Sequence, residues 1–245
     1  MDMKCEILSD DTKYAGVVSV RVPGIYGKKG NPLPKRMSRL VRPAARALAK
    51  VYRDVSAEDG HLYLSDMFRS AAQQQKAHED WKSGRKTAYS PPSCSSVHEA
   101  ARAIDIDAFD TGIGHGRIRE ILNARGWTNI VSTLTGSECW HYEFRGRKWE
   151  TFRIQHGYQA MARAMKREIG NTAGIEAAEK YQLLIREVQE ALNVLIAARL
   201  EVNGEYDGDT KAAVMAFQYK YNLQVDGVAG PITRQKIREL LDAQA

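Results

Sequence analysis

The chain has 245 residues, with 36 Lys and Arg against 30 Asp and Glu, a formal net charge of +6. A hydrophobic share of 43% and a charged share of 27% exclude a wholly disordered chain, and the length suits two domains of roughly 100–150 residues each. The positive balance suits an anionic partner without choosing among nucleic acid, a membrane surface or an anionic polymer.

No apolar run approaches the roughly 20 residues of a transmembrane helix. The opening MDMKCEILSDD lacks the basic and apolar regions of a signal peptide. The expectation is a cytoplasmic protein with no membrane insertion. The cysteines Cys5, Cys94 and Cys139 are odd in number and sparse, which argues against a disulfide scaffold and against a paired C-x-x-C zinc site.

Residues 1–34 read as turn-rich, with Pro23-Gly24, Gly27, Gly30, Asn31-Pro32 and Pro34. A helix is predicted from Arg42 to Val55. Pro43 suits its first turn, and Ala44, Leu48, Val51 and Val55 share one face. His61–Phe68 reads as a short strand, followed by Arg69 and a polar helix from Ser70 to Lys82. Residues 85–97 form a loop with Pro91-Pro92 and a serine cluster. Ala103–Phe109 alternates apolar and acidic residues, as a half-buried strand does. A helix over residues 116–125 stops at Gly126, and Asn129–Thr133 and Cys139–Arg145 read as two further strands. Strands interleaved with helices, without a βαβ rhythm, give an α+β class.

From Ile154 onward the pattern is helical, and residues 170–174 (GNTAG) are the best linker candidate. The segment Val202–Thr210 is echoed by Val225–Thr233: glycine and threonine recur from 204 to 227 and from 210 to 233. Two short copies suit a three-helix module. The charge divides unevenly, +9 over residues 1–175 and −3 from Glu176 onward.

The residues that carry chemistry lie in two segments, Ser96-Val97-His98-Glu99-Ala100-Ala101-Arg102-Ala103-Ile104-Asp105 and Glu138-Cys139-Trp140-His141-Tyr142-Glu143. Together they offer two histidines and an aspartate as ligands, with a glutamate nearby. Catalytic zinc takes three such ligands and leaves a fourth position for water, whose pKa falls towards ~7. A neighbouring carboxylate then moves the proton. In a strand, Asp105 and Asp107 share a face while Ile104 and Ile106 face the core, so one aspartate can ligate and the other can orient a ligand from behind. His141 and Glu143 share a face. Glu138 has the opposite parity and must sit in the loop before the strand, or at a bulge, to reach the same place. Each of these residues taken singly reads more simply as surface or core. His61, His78, His115 and His156 read as structural. Trp81, Tyr89, Trp127 and Tyr142 are candidates to line a groove, with core packing the simpler role for most.

The two segments resemble the zinc peptidases of peptidoglycan stem peptides, the D-alanyl-D-alanine carboxypeptidases and the phage L-alanyl-D-glutamate endopeptidases. Their Ser-x-His-x-x-Gly-x-Ala-x-Asp and Glu-x-Trp-His motifs are matched by Ser96, His98, Ala103, Asp105, Glu138, Trp140 and His141. Ala101 stands where the family has glycine, a substitution a backbone of negative φ accepts. The resemblance implies Zn2+ held by His98, Asp105 and His141, Glu138 as catalytic base, and an antiparallel sheet flanked by helices. It also implies that Arg69, in Phe68-Arg69-Ser70 ahead of Gln73, Gln74 and Gln75, meets the substrate carbonyl and its oxyanion. A second resemblance, over about Tyr181 to Leu241, is to the small three-helix peptidoglycan-binding domain; its glycine turns are candidates to contact glycan or peptide. The organisation implied is a catalytic domain at 1–153, a helical linker at 154–178 and a binding domain at 179–245. The function implied is endolysin-like hydrolysis of a stem-peptide amide, L-Ala-D-Glu or D-Ala-D-Ala, by a monomer. It would be held in the host cytoplasm until the membrane opens and would act on peptidoglycan without nucleic acid. The alternatives are a bacterial D,D-carboxypeptidase of wall remodelling and a non-catalytic wall-binding protein with a structural metal.

Overall fold

In the computed structural model, residues 4–25, 31–131, 133–136 and 138–243 are described. Gly27 and Gly30, read as turns, and Ser132, read as strand, lie outside them. The chain divides into two compact units, residues 1–174 and 175–245. The class is α+β, with strands confined to the first unit.

The turn-rich reading of residues 1–34 misses an antiparallel sheet of three strands, β1 (Glu6–Asp10), β2 (Val17–Arg21) and β3 (Arg39–Val41), in that order. The valines at 17, 18 and 20 are buried in the main core, so β-branched packing decides the strand between turn-forming neighbours. Helix α1 (Arg42–Ala57) follows with Pro43 in its first turn and buries Ala44, Leu48, Val51 and Val55 as their spacing predicts.

A second sheet holds β4 (Leu64–Asp66), β5 (Ala103–Ile106), β6 (Trp127–Asn129) and β7 (His141–Phe144), antiparallel in the order β4-β5-β7-β6. Each strand is shorter than its apolar pattern suggests, and β6 starts before the predicted segment and ends at its first residue. The causes are local. The Asp107 carboxylate accepts from the Phe109 amide and turns the chain after β5. Asn129 ends β6 by donating to the carbonyls of Cys139 and His141 and accepting from the Val131 amide. Helix α2 (Ala71–Lys82) opens on a capping box between Ser70 and Gln73, and α3 (His115–Ala124) ends before Gly126, whose φ of 85° fits a left-handed stop.

Residues 154–174, predicted as part of a linker, instead belong to the first unit. Helix α4 (Gly146–His156) supplies Trp149, and α5 (Tyr158–Glu168) supplies Met161, Ala162 and Met165, to a buried cluster with Val97, Ala100 and Ala103. The apolar face of α5 thus covers the segment carrying His98. A fully buried ion pair reinforces it: Lys166 Nζ lies 2.7 Å from Glu99 Oε1, and Glu99 also accepts from the Cys94 amide at 2.8 Å. The Asn171 side chain closes on the Glu99 carbonyl at 2.7 Å.

The second unit packs α6 (Ile175–Ile196), α7 (Gly208–Lys220) and α8 (Pro231–Asp242) around Leu192, Val214, Phe217 and Ile237. The repeat has a structural use. Gln189 accepts from the Gly204 amide and donates to Asn203, the Glu205 carbonyl and Thr210. Gln218 repeats the pattern on Gly227, Asp226, the Val228 carbonyl and Thr233. Gly204 and Gly227 have φ of 79° and 67°, and a Cβ on Gly227 would meet Lys211 at 2.9 Å. Much of the turns' polar capacity is therefore spent inside the fold. Among the described residues, no helix is long and apolar enough to cross a membrane.

Removing the Lys166 ammonium leaves the Glu99 charge buried without its cation, at a cost of about 3–5 kcal/mol. Lys166→Ala is therefore expected to lower the denaturation midpoint in urea strongly, and an unchanged midpoint would refute the assignment.

Candidate metal centre

Register brings the first two candidates together. On β5 and β7, Asp105 stands directly opposite His141, and on the other side Asp105 pairs with Asp66 of β4. His98 arrives from a short 3-10 turn, Val97–Ala100, capped by the Ser96 hydroxyl, which accepts from the His98 amide. The turn ends at Ala101, with φ 53° and ψ 40°, and the chain enters β5. The negative φ under which the extra methyl is readily accepted is not what the chain adopts here. An alanine occupies the left-handed region where the family motif has glycine, at a cost of roughly 1–2 kcal/mol, with its methyl fully buried in the core.

His98 Nε2, His141 Nδ1 and Asp105 Oδ1 converge. The distances are 3.2 Å between the two nitrogens, 2.8 Å from His141 to Asp105 and 3.2 Å from His98 to Asp105. These are the three residues among those described whose ligand atoms cluster closely enough to hold a metal ion. Ligands at about 2.0–2.1 Å from a tetrahedral ion stand about 3.3 Å apart, so little expansion is needed. The outer nitrogens settle which lone pairs face inward. His98 Nδ1 bonds to the Met67 carbonyl, and His141 Nε2 to Glu143 Oε1 at 3.1 Å. Each ring then carries its proton on the outer nitrogen, and both inner nitrogens are free for a metal. A donor set of two imidazoles and one carboxylate suits zinc with an open position.

The sequence reading left the supporting residue open between the two aspartates, and the structure places neither Asp105 nor Asp107 in that role for the histidines. Asp107 caps a turn. Glu143 does the supporting, fully buried, and accepts from Arg145 Nε and the Tyr158 hydroxyl, each at 2.5 Å. Burial pushes the Glu143 carboxyl up, but His141, Arg145 and Tyr158 outweigh it and bring it to about 2. Burial likewise disfavours the His141 cation, yet the carboxylates of Asp105 and Glu143 raise its pKa to about 10 without a metal. Burial opposes the Asp105 charge, and the two histidines overcome it, holding the carboxyl well below its usual range.

Glu138 occupies the loop option. Its φ of 65° puts it in the left-handed region, and its carbonyl accepts from the His141 amide at 3.1 Å, closing the turn that precedes β7. The strain is local and falls beside the cluster, where backbone outliers concentrate at working sites. Burial raises the Glu138 carboxyl, countered by His141. Glu138, Arg69 and the three candidate ligands all line one cavity of about 230 Å³.

Arg69 lies before α2, not inside it, and much of its guanidinium is committed. It reaches Asp66 at 2.6 Å, Gln74 Oε1 at 3.1 Å and Asp105 Oδ2 at 3.5 Å. It therefore leaves Asp105 Oδ1 to the cluster while neutralising the other oxygen. Of the aromatic candidates, Tyr89 lines the cavity, Trp81 packs edge-on against it at 4.9 Å, and Trp127 and Tyr142 are core. Trp140, known from the sequence only as a motif residue, and Tyr158 line it as well. Cys94 and Cys139 are free thiols, Cys139 packed in the core and Cys94 beside Lys166.

Residues 182–237 match the family described as "Putative peptidoglycan binding domain". The match lies within the second unit. The chain is also similar to the zinc D-Ala-D-Ala carboxypeptidase of Streptomyces albus G, 49% identical over 45 residues, a stretch that spans 18% of this chain and 18% of that protein. Among solved structures, VanYB in complex with D-alanine-D-alanine aligns at 16% identity and a TM-score of 0.37, covering 52% of this chain and 88% of that one. The LdcB LD-carboxypeptidase aligns at 17% identity and a TM-score of 0.36, covering 62% and 91%.

Glu143→Gln is expected to weaken metal affinity by about 10–100-fold, since such supporting partners set ring orientation and basicity. Tyr158→Phe should lower it by less. Titration of the metal-free protein against a chromogenic chelator reads both, and unchanged affinity in Glu143→Gln would contradict the support role.

Proposed function

We propose that the chain is a zinc-dependent peptidoglycan peptidase, with its first unit cutting a stem-peptide amide and its second unit binding the wall. The observation that carries this is the convergence of His98, Asp105 and His141 with Glu138 on one cavity. The match of residues 182–237 to a peptidoglycan-binding family supports the substrate class, and the similarity to a zinc D-Ala-D-Ala carboxypeptidase supports the metal.

A zinc ion held by the three ligands would supply a Lewis acid and a water acidic enough to act near neutral pH. The chain's own residues do the rest. Glu138, beside the cluster with its carboxyl pushed up by burial, takes the proton of the attacking water and passes it to the leaving amine. Arg69, gripped by Asp66 and Gln74, is a fixed cation on the cavity wall, placed to meet charge developing on the scissile carbonyl. Trp140, Tyr89 and Tyr158 supply apolar wall for the peptide.

Two stem-peptide bonds fit the motifs, L-Ala-D-Glu and D-Ala-D-Ala. The named relative favours the second, and the endolysin reading favours the first. In the endolysin reading the monomeric enzyme would wait in the host cytoplasm and reach the wall once the membrane opens. Mass spectrometry of fragments released from defined peptidoglycan separates the two bonds. Lysis of walled cells by protein added from outside tests the lytic role.

Glu138→Gln should reduce turnover by about 10²–10⁴-fold while leaving metal content and sedimentation with peptidoglycan intact. Undiminished turnover would remove Glu138 from the mechanism. Loss of activity on chelation, restored by zinc, is expected of the intact enzyme.

A further inference from the structure

Lys86 lines the same cavity as the three candidate ligands, Glu138 and Arg69. It is half-buried in the loop after α2, and its backbone is tied to that helix by its amide, which donates to the Asp80 carbonyl at 3.0 Å. The Asp80 carboxylate is taken by Lys76 and Arg85. Asp66 and one oxygen of Asp105 are taken by Arg69. Among the described residues, the Lys86 ammonium has no hydrogen bond or ion pair, and Arg69 repels it across the cavity. Two cations share one partly desolvated cavity, and one of them lacks a counter-ion. Burial and the Arg69 charge lower the Lys86 pKa, outweighing the carboxylates of Asp105, Asp66 and Glu138, which act to raise it without pairing with the ammonium. Such an arrangement is unfavourable in the empty cavity and is relieved by an anion.

We propose that Lys86 anchors a substrate carboxylate next to the scissile bond, forming a carboxylate subsite of the metal cavity. The proposal rests on the peptidase reading above. Both bonds that fit the motifs offer this chemistry on the leaving-amine side. The α-carboxylate of D-Glu adjoins the L-Ala-D-Glu bond, where D-Glu continues the stem through its side chain, and the terminal carboxylate adjoins the D-Ala-D-Ala bond. Arg69 is held by Asp66 and Asp105, whereas the ammonium of Lys86 is available. Asp105, Asp66 and Glu138 also lie in its field, and Glu138 marks the competing role, in which Lys86 tunes the base.

The test uses the full chain and two pairs of synthetic stem peptides. In one pair the D-Glu α-carboxyl is free or amidated, and in the other the terminal D-Ala carboxyl is free or amidated. The expected result is a preference for the free acid of about 10–100-fold in kcat/KM on whichever bond is cut, the size of a charge-assisted hydrogen bond. Which pair shows it tells the source of the carboxylate. Lys86→Ala should erase the preference through KM on the acid, and Lys86→Arg should retain most of it. A preference that survives Lys86→Ala overturns the proposal. So does an equal loss on acid and amide with a shifted pH profile of kcat, which is the result expected if Lys86 serves Glu138. If neither pair is cleaved, the peptidase reading falls separately. Calorimetry with N-acetyl-D-alanine and its amide, and with N-acetyl-D-glutamate and its α-amide, then still decides the subsite. Equal affinity for acid and amide in both pairs overturns it.

Discussion

Asp105 and His141 face each other across β5 and β7, and the shape of the first unit follows from keeping that register. A slip of one residue would turn both side chains to the opposite face of the sheet. The alternation that buries Ile104 and Ile106 fixes which way Asp105 points. The pairing of Ile104 with Tyr142, a fully buried side chain, fixes how far β7 slides. The cluster is therefore set by hydrophobic packing on one face of the strands and read out as chemistry on the other.

His98 is not part of this sheet and needs separate anchoring. Ser96 caps its turn, Ala101 ends it in a left-handed conformation, and the Met67 carbonyl orients its ring. Behind it the buried pair Glu99–Lys166 ties the turn to α5. The same helix begins with Tyr158, which steadies Glu143 and through it His141. One helix thus supports two of the three candidate ligands. A helix treated as a connector would have no reason to bury a lysine or to end a chain of hydrogen bonds at a candidate ligand.

Charge divides along the same line as structure. The unit with the cavity carries +9 and the other −3. Within the cavity the positive side chains differ in use: Arg69 pairs with carboxylates of the scaffold, and Lys86 forms no ion pair among the described residues. In the second unit the two buried glutamines hold the two glycine turns by the same set of hydrogen bonds, so the internal repeat is explained by folding alone.

The sequence by itself determined the α+β class, the helix faces and the internal repeat, and through its resemblance it named the three residues that converge. These are written in local features: the 3.6 and 2.0 periods and two short motifs. Tertiary structure decided what spacing does not encode. The first sheet was hidden because its valines are short runs among turn residues, and only a core makes them strands. Residues 154–174 of the predicted linker became part of the first unit because their apolar face found the His98 turn 60 or so residues earlier in the chain. Tyr158 and Lys86 gained their places with no local signature, since a lone tyrosine or lysine reads as surface until the fold shows what it faces, and Glu143, legible only as sharing a face with His141, became the partner of that ring.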